Sequence, residues 1–290
     1  MSVARRVVTK AISLSPRRRR WQRLLTNLTL DPDHLTSPVT PPDPRDFIIC
    51  GLPRSGTSLA TAALYQPPRV VTVMEPWDGM RLAPAELFSS LRAEIGTGTL
   101  TRGRLDGALL LADGRVEWCR DGEKPSAIHV APDYLLGVKW PAFWRYLDLL
   151  PDTKFIVCVR HPLEVLASFR STRGRLARGL EYDLAFNRRM NDELLSATDD
   201  PVIRQVLLMD AVARGLAPHL DRPNVFTLRY ERWFDDPNAL LEGLTAFLGV
   251  DVTPTPVVVA QRPSRTDDAS LVDMIRRHSA APALLGYDLG

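Results

Sequence analysis

At 290 residues, 45% of them hydrophobic and 24% charged, the chain has the composition of a folded protein with room for one large core. No stretch approaches the roughly 20 uninterrupted apolar residues that cross a bilayer, and three cysteines are too few and too scattered for a disulfide framework or a zinc site, so a soluble protein of a reducing compartment is expected. The net charge of +3 is uneven: seven basic and no acidic side chains fall in residues 1–20, and taking those seven from 37 leaves 30 basic against 34 acidic residues, which argues against a broad basic coat for nucleic acid.

The basic start, with Arg5, Arg6, Lys10 and Arg17 to Arg20, reads as a solvated helix or tail, as a patch for weak contact with an anionic membrane surface, or as an Arg-rich presequence. No apolar run follows it, which disfavours a secretory signal. Residues 31–46, DPDHLTSPVTPPDPRD, hold too many prolines to sustain a helix. Residues 1–44 therefore form a lead-in, and the globular domain runs from 45 to 290.

From there short β-rich runs alternate with helical ones: a strand at 47–50, a helix from about 57, strands at 70–74 and 136–139, a helix at 141–149, a strand at 154–159, a helix at 163–171 and a strand at 225–229. Continuous apolar strands alternating with helices predict an open α/β fold, a mainly parallel sheet flanked by helices. Cys50 and Cys158 end the runs FIIC and FIVC, where a thiol acts as a small buried hydrophobe. The glycine-rich stretch 95–134 shows no sustained period and is the expected acceptor-side lid. Residues 181–220 read as two helices broken at TDDP, 198–201, with Pro201 in the first turn of the second, and 269–278 as a short helix.

Residues 47–58, FIICGLPRSGTS, combine a strand, a loop with glycines at 51 and 56, and the start of a helix. Such a turn converges backbone N–H groups on one point at a positive helix end, so it suits an anion. The Gly51-x4-Gly56 spacing matches the Walker pattern, yet Thr57 and Ser58 stand where Lys and Ser or Thr belong. A kinase or NTPase needs that Lys, and commonly a strand ending in Asp to help hold Mg²⁺. Here KFIVCV ends in Arg160, a cation that repels a metal and attracts another phosphate. Both departures favour a nucleotide with a short 5′ phosphate group near Arg54 and a second phosphate at Arg160, with no metal.

In VRHPLEVLASFRS, 159–171, Pro162 opens a helix and Ser168 follows two turns later. Eight residues of helix span about 12 Å, so Arg160 and Ser168 can share one phosphate only if the chain bends at His161-Pro162.

Together these segments resemble the sulfotransferase family, in particular its carbohydrate-type and bacterial branch. The resemblance rests on FIICGLPRSGTSL, VMEPW at 73–77, VKWP at 138–141, KFIVCVRHPLEVLASF at 154–169 and VFTLRYERWFDDPNALLEGLTAFLGV at 225–250, in the family's order. It implies a P-loop-like fold and 3′-phosphoadenosine 5′-phosphosulfate as sulfuryl donor. It places the 5′-phosphosulfate on Arg54, Ser55, Gly56, Thr57 and Ser58, the 3′-phosphate on Arg160 and Ser168, and a donor-closing contact on Arg262 or Arg265 of QRPSRT, which lacks the family's RKG-type signature. Glu75, after the strand VVTVM, is the implied general base, with Asp78, Glu86 and His129 in reserve. Lys139 is the implied stabiliser of the leaving phosphate. Trp77, Trp140 and Trp144 either line an acceptor pocket or pack in the core; Tyr230 and Trp233 read as scaffold.

The expected activity is metal-independent transfer of a sulfuryl group to a hydroxyl, less readily an amine, of a carbohydrate, glycolipid or other small acceptor. A P-loop nucleotide kinase, or a non-catalytic nucleotide-binding protein, is the alternative. Basic residues are 33 Arg and only four Lys, a skew that points to a bacterial, cytoplasmic protein.

Overall fold

Five apolar runs form one parallel sheet: β1 (Asp46–Gly51), β2 (Val70–Met74), β3 (Leu135–Lys139), β4 (Lys154–Val159) and β5 (Val225–Arg229), in the order β2-β3-β1-β4-β5. The computed structural model describes residues 39–76, 79, 82–100, 108–110, 116–118, 126–172, 174–181, 185–250 and 268–289. Every residue of β1 and β2 is buried, because helices cover both faces of the sheet. The register sets Ile48 of β1 between Val138 of β3 and Phe155 of β4.

Alternate side chains serve two cores, as the pleat requires. Ile48, Cys50, Val138, Phe155 and Val157 pack with helices α2 (Pro84–Gly96), α3 (Pro162–Ser171) and α5 (Pro201–Leu216). Phe47, Ile49, Ile156, Cys158 and Leu228 pack on the other face with α1 (Thr57–Ala63) and α6 (Pro237–Leu248). The two strand-end thiols are buried and free, and burial pushes the Cys158 thiol up to about 12, which makes it the inert hydrophobe expected.

The order places the central strand where the winding reverses: the chain leaves β1 for the β2 side, fills in β3, then crosses to β4. Ligands of such sheets bind outside the carboxyl ends of the strands at that reversal. Among the described residues no helix is long and apolar enough to cross a membrane.

Helices α4 (Ala185–Ala197) and α5 form the expected pair, with Pro201 in the first turn of α5 and Asp200 accepting from Val202 N at 2.7 Å. Helix α7 (Ala269–His278) spans the residues predicted, and α8 (Ala281–Leu285) follows it. Residues 141–149 differ: Pro141–Tyr146 is a 3-10 helix. Side chains three apart eclipse in that geometry, which brings the buried rings of Phe143 and Tyr146 edge to face at 5.3 Å. Helix α2 also goes beyond the predicted elements, although Leu87, Phe88, Leu91 and Ile95, all buried, carry its period. Within 95–134 the described residues hold two local antiparallel ladders, 99–100 with 126–127 and 108–110 with 116–118.

At the amino edge of the sheet, Asp46 opens β1 beneath Arg92 of α2, with Arg92 Nη2 2.5 Å from its carboxylate. Burial pushes the Asp46 carboxyl up from 3.8 to about 6, against the pull of Arg92. A carboxyl whose folded value is raised stabilises the protein below its unfolded value and loses that contribution as pH rises through the folded value. Urea titrations at closely spaced pH should therefore show stability falling between pH 4 and 6 by roughly 3 kcal/mol, and Asp46→Asn should flatten that step.

Candidate functional site

The loop expected to hold a phosphate begins where β1 ends, at Gly51. Its φ is +135°, and a Cβ there would lie 2.2 Å from the Cys158 carbonyl oxygen, so only glycine lets the loop pass β4 this closely. Leu52 N donates to that same oxygen at 3.2 Å, and so does the Ser55 hydroxyl at 2.8 Å. Ser55 is fully buried, and its N–H bonds the Leu52 carbonyl, so both of its donors act within the protein and its contribution is to shape the turn. Arg54 takes a left-handed φ of 73°, a conformation costly for a side-chain-bearing residue, and is exposed at the loop tip. Gly56, at φ 90°, starts α1 without a side-chain cap, so the first-turn amides face outward over Thr57 and Ser58. A Cβ on Gly56 would meet the Tyr230 ring at 2.5 Å.

The second signature comes to the same place. The chain bends at His161 (φ −49°, ψ 126°) between β4 and α3, as a phosphate shared by Arg160 and Ser168 requires. Arg54 Nε donates to Ser168 Oγ at 2.9 Å, and Arg160 Nη1 reaches the Arg54 carbonyl at 3.4 Å. Arg160, 7% exposed, stacks on the Tyr230 ring at 4.1 Å. Its Nη2 pairs with Glu164 at 2.9 Å, while its buried Nε has no hydrogen-bond partner among the described residues. A buried guanidinium N–H without an acceptor is costly, and an anionic oxygen at this position would satisfy it.

Glu75 and Lys139 leave the ends of the neighbouring strands β2 and β3. Glu75 N donates to the Lys139 carbonyl at 2.8 Å, and Lys139 Nζ donates to Glu75 Oε1 at 2.5 Å. The side chains are 10% and 4% exposed, and Glu75 holds a φ of 45°, a second strained residue at this edge. Trp140 supports them: its buried indole donates to the Pro76 carbonyl at 3.1 Å, so it packs and braces the Glu75 turn. Trp144 lies over Gly215 of α5, with Arg145 stacked on it at 4.6 Å.

Thus the sheet's carboxyl edge gathers Arg54, Gly56, Thr57, Ser58, Glu75, Lys139, Arg160 and Ser168. It does not gather His129. His129 is exposed two residues before Ala131, which bonds Pro68 ahead of β2, so it belongs to the amino edge. Glu86 is exposed in the first turn of α2, where a carboxylate complements the helix end. Trp77, Asp78, Arg262, Arg265 and residues 1–38 lie outside the described residues.

Two further carboxylates at this edge escaped the sequence reading. Glu164, in the first turn of α3, pairs with Arg160 across the bend at His161. Glu231 accepts from His161 N at 2.8 Å across 70 residues, which no local pattern announces. Tyr230 is more than scaffold, since it separates Gly56 from Arg160 and touches both.

The model of the sulfotransferase family matches residues 45–254. Nodulation protein NoeE of Sinorhizobium fredii is 27% identical over 228 residues, which cover 72% of this chain and 51% of NoeE, so the chain spans about half the length of that curated relative. Among solved structures, a sulfotransferase from Alicyclobacillus acidocaldarius aligns with a TM-score of 0.44 and 18% identity over 86% of this chain and 98% of its own. A mouse sulfotransferase complexed with PAP aligns at 0.40 and 16%, over 88% of this chain and 71% of its own.

The Glu75–Lys139 pair should behave as a coupled unit. Lys139→Met takes away the ammonium beside a nearly buried carboxylate and should cost about 3 kcal/mol. Adding Glu75→Gln should restore most of that loss, and a double-mutant cycle followed by urea unfolding measures the coupling.

Proposed function

The chain belongs to the sulfotransferase family, and from that premise we propose that it transfers a sulfuryl group from 3′-phosphoadenosine 5′-phosphosulfate to the hydroxyl of a carbohydrate, glycolipid or other small acceptor. One observation carries this reading. The loop at Arg54 and the bend at Arg160 are joined through Ser168 and the Arg54 carbonyl, so two phosphate-seeking elements open on one edge of the sheet.

The residues present fit this donor. Gly51 and Gly56 let the loop turn tightly against the Cys158 carbonyl and the Tyr230 ring, and Arg160 Nε lacks an acceptor among the described residues. The loop tip, with Arg54, Thr57, Ser58 and the first amides of α1, would hold the 5′ phosphosulfate. Arg160 and Ser168 would hold the 3′-phosphate, a task suited to a fixed guanidinium. Bound there, the donor supplies an activated sulfuryl group.

This chain's own groups would then divide the work. Glu75 accepts the proton from the acceptor hydroxyl as the oxygen attacks in line. Lys139, drawn between Glu75 and the leaving phosphate, offsets the charge that grows on the bridging oxygen. Because the two side chains already touch, proton gain by Glu75 weakens its hold on the ammonium at the moment the phosphate needs it. The low-lysine, arginine-rich usage and a bacterial relative support a bacterial cytoplasmic setting.

Two outcomes are expected. In calorimetry, 3′-phosphoadenosine 5′-phosphate should bind about 30-fold more tightly than AMP, roughly 2 kcal/mol; equal affinities would remove the 3′-phosphate role of Arg160 and Ser168. Glu75→Gln should lower turnover by about 10²–10³ while leaving the affinity for 3′-phosphoadenosine 5′-phosphate within about twofold of wild type, and near-normal turnover would send the base elsewhere.

A further inference from the structure

The bend at His161 has to be held, because two residues of extended chain between β4 and α3 decide where Arg160 points and where Ser168 sits relative to Arg54. No side chain caps α3 at this point. What holds it comes from distant parts of the chain. Glu231, just after β5, accepts from His161 N through Oε1 at 2.8 Å. The other oxygen, Oε2, accepts from the Tyr287 hydroxyl, also at 2.8 Å. The His161 ring closes the loop from the other side: its Nε2 lies 3.0 Å from the Asp288 carbonyl, and its face meets the Tyr287 ring at 5.4 Å, edge to face.

We propose that Tyr287 and Glu231 are positioning residues for the 3′-phosphate half of the donor site, a latch that fixes the His161-Pro162 bend and so aims Arg160; this rests on the donor reading above. The latch has a rigid footing. Tyr287 N bonds the Pro282 carbonyl at 2.8 Å, closing a turn at the end of α8, whose Ala281 and Leu285 are fully buried. The guanidinium of Arg229, the last residue of β5, stacks over the Tyr287 ring at 4.8 Å. Tyr287 is thus clamped between β5 and the bend, with burial and the Glu231 carboxylate keeping its phenol protonated as a donor.

Glu231 is a carboxylate shared between a backbone N–H and a phenol, and charge-assisted bonds of this kind are the strong ones. Removing the phenol frees Glu231 to rotate, and His161 N then loses a fixed acceptor. Arg160 leaves β4 one residue earlier, so the effect falls on contacts to the second phosphate rather than on the loop at Arg54. Nucleotides with and without that phosphate should therefore respond differently.

The test titrates 3′-phosphoadenosine 5′-phosphate and AMP, by calorimetry, into the full chain and its Tyr287→Phe and Glu231→Gln variants, with melting temperatures recorded in parallel. The expected result is a five- to tenfold weaker bisphosphate affinity in both variants, AMP affinity within twofold, and hence a reduced bisphosphate-to-AMP ratio. A ratio equal to wild type in a variant that melts normally overturns the latch, and so does a parallel loss for both nucleotides, which marks a structural role alone. A wild type that itself fails to prefer the bisphosphate removes the donor reading and this inference with it. The two failures are distinguished by the wild-type titration.

Discussion

One carbonyl oxygen ties the site together. That of Cys158 receives the Leu52 N–H and the Ser55 hydroxyl, and Gly51 passes it too closely for any side chain. A carbonyl has two lone pairs, and both are used to bind the loop after β1 to the strand that delivers Arg160 two residues later. The glycine loop is therefore not a free turn at a helix start. It is built against β4, and its distance from Arg160 is set by backbone rather than by flexible side chains.

Around that joint the side chains form a closed circuit. Arg54 reaches Ser168, Arg160 reaches back to Arg54, and Tyr230 lies under Arg160 and against Gly56. Glu164 and Arg160 neutralise each other in part, so the edge is not simply a cationic trough. Phosphate specificity would then come from directed N–H groups, including the buried Arg160 Nε, more than from net charge. On the neighbouring strand ends, Glu75 and Lys139 place one acid and one base within a single hydrogen bond, in a setting dry enough for each to govern the other.

Strain accompanies this arrangement. Arg54 and Glu75 are the two described residues other than glycine with positive φ, and both stand at the carboxyl edge. Such conformations persist where the surroundings over-determine them. For Arg54 the surroundings are the Cys158 joint and Ser168; for Glu75 they are the bond to the Lys139 carbonyl and the turn braced by Trp140.

Local patterns were enough for much of the fold. The strands at 70–74 and 154–159 stand where continuous apolar runs put them, because a strand buried on both faces has no other composition, and the strand at 225–229 and the helix at 269–278 also stand at the residues expected. The glycine turn after β1 was legible for a similar reason: glycine spacing records a backbone constraint directly. The sequence alone also located Arg160 and Ser168, Glu75 and Lys139, as residues at strand ends and a helix turn. What it could not contain was their pairing. The contact of Arg54 with Ser168 spans 114 residues, that of Lys139 with Glu75 spans 64, and the sharing of Glu231 between His161 and Tyr287 spans 70 and 56. These depend on strand order, which no local period encodes, and only the folded sheet decided that Ser55 would face inward, that Trp140 would brace a turn, and that His129 would lie at the wrong edge.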